Sequence, residues 1–209
     1  MGMNPDTIDF FWENLKALNR TSLKGIWLLE LGNQAIRQPA KEKYKIHTGK
    51  SKVYFLGLRC HHHSIDLNGK DGAVPLDLTQ PIPIPRFMNA FKIITDFGDL
   101  EHVRGLRAYN KELGQWQAWK NIHDMGKVDC IYMHTIPMLG SFIGHGSFHY
   151  TLKFFKDLCK ANDYEIVFLR RQSIDPRTNT RGYIFCSYLK KTDAPFVPDA
   201  EEFKGWLHR

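Results

Sequence analysis

The stretch FKIITDFGDLEHV (91–103) changes character halfway along. FKIITDF (91–97) is an apolar run of strand length. Gly98 and Asp99 make a turn, and LEHV then opens a helix whose positive end suits Glu101. The same alternation extends to both sides. Upstream, IWLLEL (26–31) is a buried-strand pattern ending at Gly32, and HHSIDLN (62–68) is a strand that ends in a turn. SKVYFLGL (51–58), between them, predicts a helix capped by Ser51. Residues 6–19 place Ile8, Phe11, Leu15 and Leu18 on one helical face. Downstream, 101–125 predicts a helix in two pieces, and VDCIYMHTIP (128–137) a strand stopped by Pro137. A Gly-rich loop (140–147) and an amphipathic helix (151–162) follow. YEIVFLRR (164–171) and YIFCSYLK (183–190) are two strands separated by turn-forming residues, which suits antiparallel pairing. Residues 69–90, with two Gly and four Pro, predict loop.

Strands alternating with helices imply right-handed crossovers. The expected fold class is therefore α/β: a doubly wound, mostly parallel, Rossmann-like sheet with a C-terminal antiparallel strand pair. All 209 residues are expected in one domain, with an N-terminal helical segment (1–25) and an insertion at 33–50. Hydrophobic residues make up 43% and charged residues 24%, as in ordinary globular chains. No apolar run reaches the roughly 20 residues of a membrane span. MGMNPDTIDFFWENLK lacks the layout of a signal peptide. The four cysteines have no paired spacing, so a cytoplasmic setting is expected, with Cys130 and Cys186 as small core residues. The net charge of +7 is spread along the chain without a run of five basic residues, which argues against a nucleic-acid partner.

Ligands of such sheets bind beyond the carboxyl ends of the strands, where the strand order reverses. The residues to examine are Gly32–Gln34, Asp66–Asn68, Asp96–Asp99 and Pro137–Gly146. Gly32 lets backbone approach a ligand where a Cβ would collide. Asp66 is placed to accept both hydroxyls of a ribose; its competing use is to open a turn with Asn68 and Gly69. His61–His63 alternate across a strand and lack further ligands at useful spacing, so no metal site is expected. Tyr109, Trp116 and Trp119 either roof a pocket or pack a helix. No complete Gly-x-x-x-x-Gly-Lys-Ser/Thr phosphate loop, Gly-x-Ser-x-Gly elbow or Cys-x-x-Cys pair is present.

The ordered series of motifs resembles class I S-adenosylmethionine-dependent methyltransferases of the small-molecule type over roughly residues 26–190, apart from 33–50. LLELGNQ (28–34) resembles their first motif, with Glu30 as the acid and Gly32 as the first glycine. Asn33, Gln34 and Ile36 replace the usual Gly-rich stretch, so the cofactor's methionyl part is either held by the Asn33 and Gln34 amides or not held at all. SIDLNG (64–69) supplies Asp66 and Leu67. PLDLT (75–79) resembles the adenine site and implicates Asp77 and Leu78. FKIITDFGDLEHV resembles the fourth-strand motif, with Asp96, Phe97 and Gly98 lining the cofactor and Glu101 beside them. Lys92 and Gly98 stand where acids are frequent. Residues 119–137 resemble the helix and fifth strand that follow, and 144–171 the substrate-side loop, sixth helix and sixth strand.

The resemblance implies S-adenosyl-L-methionine as cofactor and methyl transfer to a small-molecule acceptor. Catalysis is then chiefly alignment, with a base needed only if the acceptor must lose a proton. His102 and His145 are the catalytic candidates, with His134 and Tyr150 behind them. The loop 140–150 is expected to close over the acceptor, covering it with Phe142 and Phe148. Rival readings are a non-catalytic nucleotide-binding Rossmann-like module and an RNA methyltransferase, which would need a clustered basic face. A nicotinamide enzyme is disfavoured because no Gly-x-Gly-x-x-Gly follows the first strand. The acceptor's identity and the oligomeric state are not encoded in these motifs.

Overall fold

The computed structural model describes residues 2–104, 111–142, 144–174 and 182–207. The strands are β1 (Trp27–Leu31), β2 (His61–Ile65), β3 (Phe91–Asp96), β4 (Gly126–Pro137), β5 (Tyr164–Ser173) and β6 (Gly182–Lys190). They form one sheet in the order β2-β1-β3-β4-β6-β5. β1 pairs in parallel with β2 and with β3, and β3 pairs in parallel with β4. β6 lies antiparallel to both β4 and β5. The chain runs outward from β1 to β2 and then returns across β1 to β3. The strand order therefore reverses between β1 and β3.

Residue alternation along the strands builds two cores. Leu28 of β1 packs with Phe11, Phe55, Ile93 and Ile131. These lie under α1 (Pro5–Ala17), α2 (Gln38–Tyr44) and α3 (Ser51–Gly57). Leu29 and Leu31 face the other way, among Ile94, Trp119, Ile122, Tyr132 and Phe155. That side is covered by α4 (Lys111–Met125), α5 (Leu152–Ala161) and α6 (Ala200–Trp206). Helices on both faces make the sheet doubly wound, as its pattern predicts. α1 starts where Asn4 Oδ1 accepts from the Thr7 amide at 2.9 Å, with Pro5 at the first helical position. α5 starts where the Thr151 hydroxyl accepts from the Phe154 amide at 3.0 Å.

Several local expectations are corrected. Ser51 does not cap α3; its hydroxyl turns inward and donates to Glu30 at 2.6 Å. Residues 33–50 contain α2, which docks on α1 through Tyr44 and through a 2.7 Å Lys43–Asp9 ion pair. Of the helix predicted over 101–125, the described residues form a 3-10 turn, Leu100–His102, and α4, Lys111–Met125. Tyr109 lies outside the described residues. Trp119 is core rather than roof, and the Trp116 indole donates to the Pro198 carbonyl at 3.0 Å. The segment resembling a fourth-strand motif is the third strand here. Outside β2 there is a single parallel bridge, from Ile65 to Val74. The four cysteines are buried thiols. Among the described residues, no helix is long and apolar enough to cross a membrane.

Helix α4 is anchored at its end by His123. Nε2–H donates to the Ala194 carbonyl at 2.9 Å, which leaves Nδ1 to accept from the Tyr164 hydroxyl. This pattern suits a neutral ring, and burial lowers the pKa from 6.5 to about 4. The unfolded chain protonates first on acidification, so this contribution is full above pH 6.5 and is lost as pH falls to about 4. The loss through this residue should be roughly 3 kcal/mol. Urea unfolding at pH 7 and pH 4 should show a smaller acid loss for His123→Gln than for the natural chain.

Candidate functional site

A cleft of about 340 Å³ opens beyond the carboxyl ends of β1, β2 and β3. Its walls are Gly32 after β1, Ile65, Asp66 and Leu67 at the end of β2, Leu76–Thr79 from the following loop, and Asp99 with His102–Arg104 after β3. Three sequence-distant segments thus meet where the strand order reverses. Gly32 has φ +73°, and a Cβ there would collide with the Asp99 carboxylate. Asp99 is held by the Gln34 side-chain amide, which donates to it.

Asp66 accepts from the Asn68 amide at 2.9 Å and from the Asn33 amide at 3.3 Å. It therefore opens the turn that is its competing reading and also lines the cleft. Each carboxylate oxygen keeps further lone-pair capacity. The Asn33 side chain donates to Asn68 Oδ1 and to the Lys70 carbonyl, so it ties the two loops together. Asp77 accepts from the Thr79 amide and hydroxyl at 2.9 and 2.8 Å. Asn121 of α4 donates to the carbonyls of Leu78 and Gln80, both at 2.8 Å, fixing that wall. Leu67 is largely exposed, whereas Leu78 is buried.

Other predicted residues lie behind the walls. Glu30 is buried on the α3 side and accepts from Ser51 and from His62 Nε2 at 3.2 Å. Burial raises its pKa despite these partners. Asp96 is fully buried and accepts from the Asp99 and Leu100 amides at 3.0 and 3.3 Å. Its other oxygen faces His134 Nδ1 at 3.1 Å, and His134 Nε2 meets the Tyr188 hydroxyl at 3.1 Å. Phe97 packs into the core under α1–α3. Gly98 carries the turn at φ +97°. His134 and Tyr150 are corrected as base candidates: both are wholly buried, and the Tyr150 hydroxyl donates to Gln115 at 2.7 Å. Phe148 is likewise buried in the core, and Phe142 packs on Tyr183.

Asp99, named in the sequence only as the end of the Asp96–Asp99 turn and given no ligand role, is a wall residue. Burial, followed by the charges of Asp96 and Glu101, raises the Asp99 pKa well above the usual carboxylate range. The sequence reading missed that His102 and His145, 43 residues apart in the chain, meet with ring centroids 4.6 Å apart. Burial and the neighbouring His145 lower the pKa of His102.

No protein-family model matches the chain, and no curated protein matches it in sequence. Solved structures do match. The N-methyltransferase NodS from Bradyrhizobium japonicum WM9, in complex with S-adenosyl-L-homocysteine, superposes with TM-score 0.57 and 11% identity, over 90% of this chain and 89% of that one. The 1,6-didemethyltoxoflavin-N1-methyltransferase of Burkholderia thailandensis, with 1,6-didemethyltoxoflavin and S-adenosylhomocysteine bound, superposes with TM-score 0.54 and 14% identity, over 88% of this chain and 77% of that one. The fold is that of the S-adenosylmethionine-dependent methyltransferases. In this methyltransferase fold the cleft of the present chain lies at the reversal of strand order, the general ligand position of open α/β sheets.

Gly32→Ala should cost about 1–3 kcal/mol, from the left-handed backbone and from displacing Asp99. Gly25 shares φ +73° but has open space around it, so Gly25→Ala bears only the backbone share. Urea unfolding of the two variants separates the terms. Equal losses would show that Asp99 is not packed against Gly32.

Proposed function

We propose that the protein transfers a methyl group from S-adenosyl-L-methionine to a small-molecule acceptor. The observation that carries this reading is the convergence of Gly32, Asp66 and Asp77 on one cleft within a methyltransferase fold. The cleft suits the cofactor chemically. A half-buried carboxylate with spare lone pairs, Asp66, matches a ribose diol. Ile65, Leu67, Leu76 and Leu78 offer apolar contacts for a purine, and Asp77 an acceptor for its exocyclic amine. The volume falls within the usual range of roughly 300–1,000 Å³ for ligand sites. Asn33 and Gln34 hold the loop after β1 against Asp66 and Asp99, and so fix the floor on which the methionyl part would rest.

When bound, the cofactor supplies a methyl group already activated on a sulfonium. The chain then has to bind, align and exclude water. His102, on the cleft wall and exposed at its edge, is the group placed to take a proton from an acceptor that must lose one, and its lowered pKa keeps it neutral for that role. His145 stands beside it. Residues 1–209 act in this reading as a single methyltransferase-like domain. The acceptor is a small molecule rather than nucleic acid, because the basic residues are not clustered in sequence. A cytoplasmic setting fits the four buried thiols.

S-adenosylhomocysteine at a hundredfold over its dissociation constant should stabilise the fold by about 2.7 kcal/mol. Thermal shift and calorimetry measure this directly, and no response at millimolar ligand would overturn the reading. Asp66→Ala should weaken binding about tenfold or more, through loss of a charge-assisted pair. Unchanged affinity with lowered stability would assign Asp66 to its turn alone.

A further inference from the structure

Glu101 presents a problem in charge. Its side chain is wholly buried, yet neither carboxylate oxygen has a hydrogen-bond partner among the described residues. Two imidazoles face it from just beyond hydrogen-bonding distance: Oε1 lies 3.7 Å from His102 Nε2 and 3.8 Å from His145 Nε2. One ligand atom from each of the three residues lies within 4.8 Å of the others. The histidines come from separate segments, and both side chains are nearly half exposed. A charged carboxylate buried without donors is strongly disfavoured unless a cation or proton compensates it.

The backbone holds this arrangement together. The Ser147 and Phe148 amides both donate to the Glu101 carbonyl, at 2.7 and 3.2 Å. Gly146, at φ +77°, packs so closely on Glu101 that a Cβ would lie 3.0 Å from Glu101 Cγ. The loop that carries His145 is thus fastened to Glu101 itself.

We propose that Glu101, His102 and His145 form a binding site for a first-row divalent transition-metal ion, such as zinc. Two imidazoles and one carboxylate are the donor set such ions take when three protein ligands leave one position open. Tetrahedral zinc with bonds of about 2.0–2.1 Å sets its donors roughly 3.3 Å apart. The donors here need only close inward by a fraction of an ångström to about an ångström and a half, which the exposed rings can do by turning. The open position would lie beside the cleft, since His102 is also a wall residue. An acceptor oxygen could bind there and be acidified by the ion, which would take the place of proton transfer to His102 because the ion occupies its accepting nitrogen; that use rests on the methyl-transfer reading, and the metal site itself does not. The triple-histidine run cannot compete as a compact site. His62 is buried against Glu30, and His63 stacks on Trp27 at 5.1 Å.

The test uses the full chain, stripped with a chelator and titrated with Zn²⁺ alone by calorimetry, with Co²⁺ absorption as the spectroscopic readout. One ion per chain should bind. Glu101→Gln and His145→Ala should each weaken binding at least tenfold, and His61→Ala should leave it unchanged. Because His145 is exposed, His145→Ala keeps the test decisive if Glu101→Gln fails to fold. Absence of zinc binding, equal binding by His145→Ala, or binding that tracks His61 would each overturn the site. Zinc binding without any response to S-adenosylhomocysteine would sustain the metal and refute the methyl-transfer reading, so the two failures are distinguishable.

Discussion

The buried carboxylate of Asp96 organises the centre of this molecule. It sits at the carboxyl end of β3, fully enclosed, and an isolated charge there would be prohibitively costly. Its partners remove that cost. Two amides of the following turn donate to one oxygen and His134 of β4 faces the other. The first pair bends the chain so that Asp99 enters the cleft wall. The second links β3 through His134 to Tyr188 on β6, across the point where the sheet changes from parallel to antiparallel. One side chain therefore joins the turn chemistry of the site to the packing of the sheet.

Gln115 performs a related task from α4. Its side-chain amide donates to the carbonyls of Leu100 and Val103, both at 2.6 Å, while its oxygen accepts from Tyr150. The turn after β3, helix α4 and the loop after β4 are fixed relative to one another by a single buried residue. Glu101 and His102 lie within that fixed turn, and the opposite cleft wall is held by Asn121, further along the same helix. The positions of the ionisable groups are thus inherited from α4 rather than set by the loops alone.

Much of this was legible in the sequence because it is periodic. The apolar runs of β1, β3, β4 and β6 and the amphipathic face of α5 announce themselves, and with them the carboxyl-end positions Gly32, Asp66 and Asp99. Other features depend on pairings that no local pattern encodes. Glu30 looks like a ligand-facing acid, yet it follows Leu28 on the same strand face and so turns to Ser51 and His62. The strand-end signal at His134 and Tyr150 was real, but the side chains point into the core. The meeting of His102 with His145 depends on a loop folding back onto Glu101 through two backbone hydrogen bonds. The polar stretch 33–50 was opaque because its short helix is held by contacts with α1 and not by its own periodicity.

The order of the strands has a consequence for how the molecule assembles. β5 and β6 are close along the chain, with Ser173 paired to Gly182, whereas the β1–β3 pairing joins Leu31 to Asp96. Closing the longer loop costs roughly 1.5–2 kcal/mol more in chain entropy, since that cost grows with the logarithm of loop length. Topology of this kind slows folding, because distant pairings are rewarded only after the entropy has been lost. The cleft is built on the expensive pairing. Any ligand that touches both Gly32 and Asp99 would therefore act as a clasp on the least local strand pairing of the sheet, and its binding energy would be returned as conformational order in the strands beneath it.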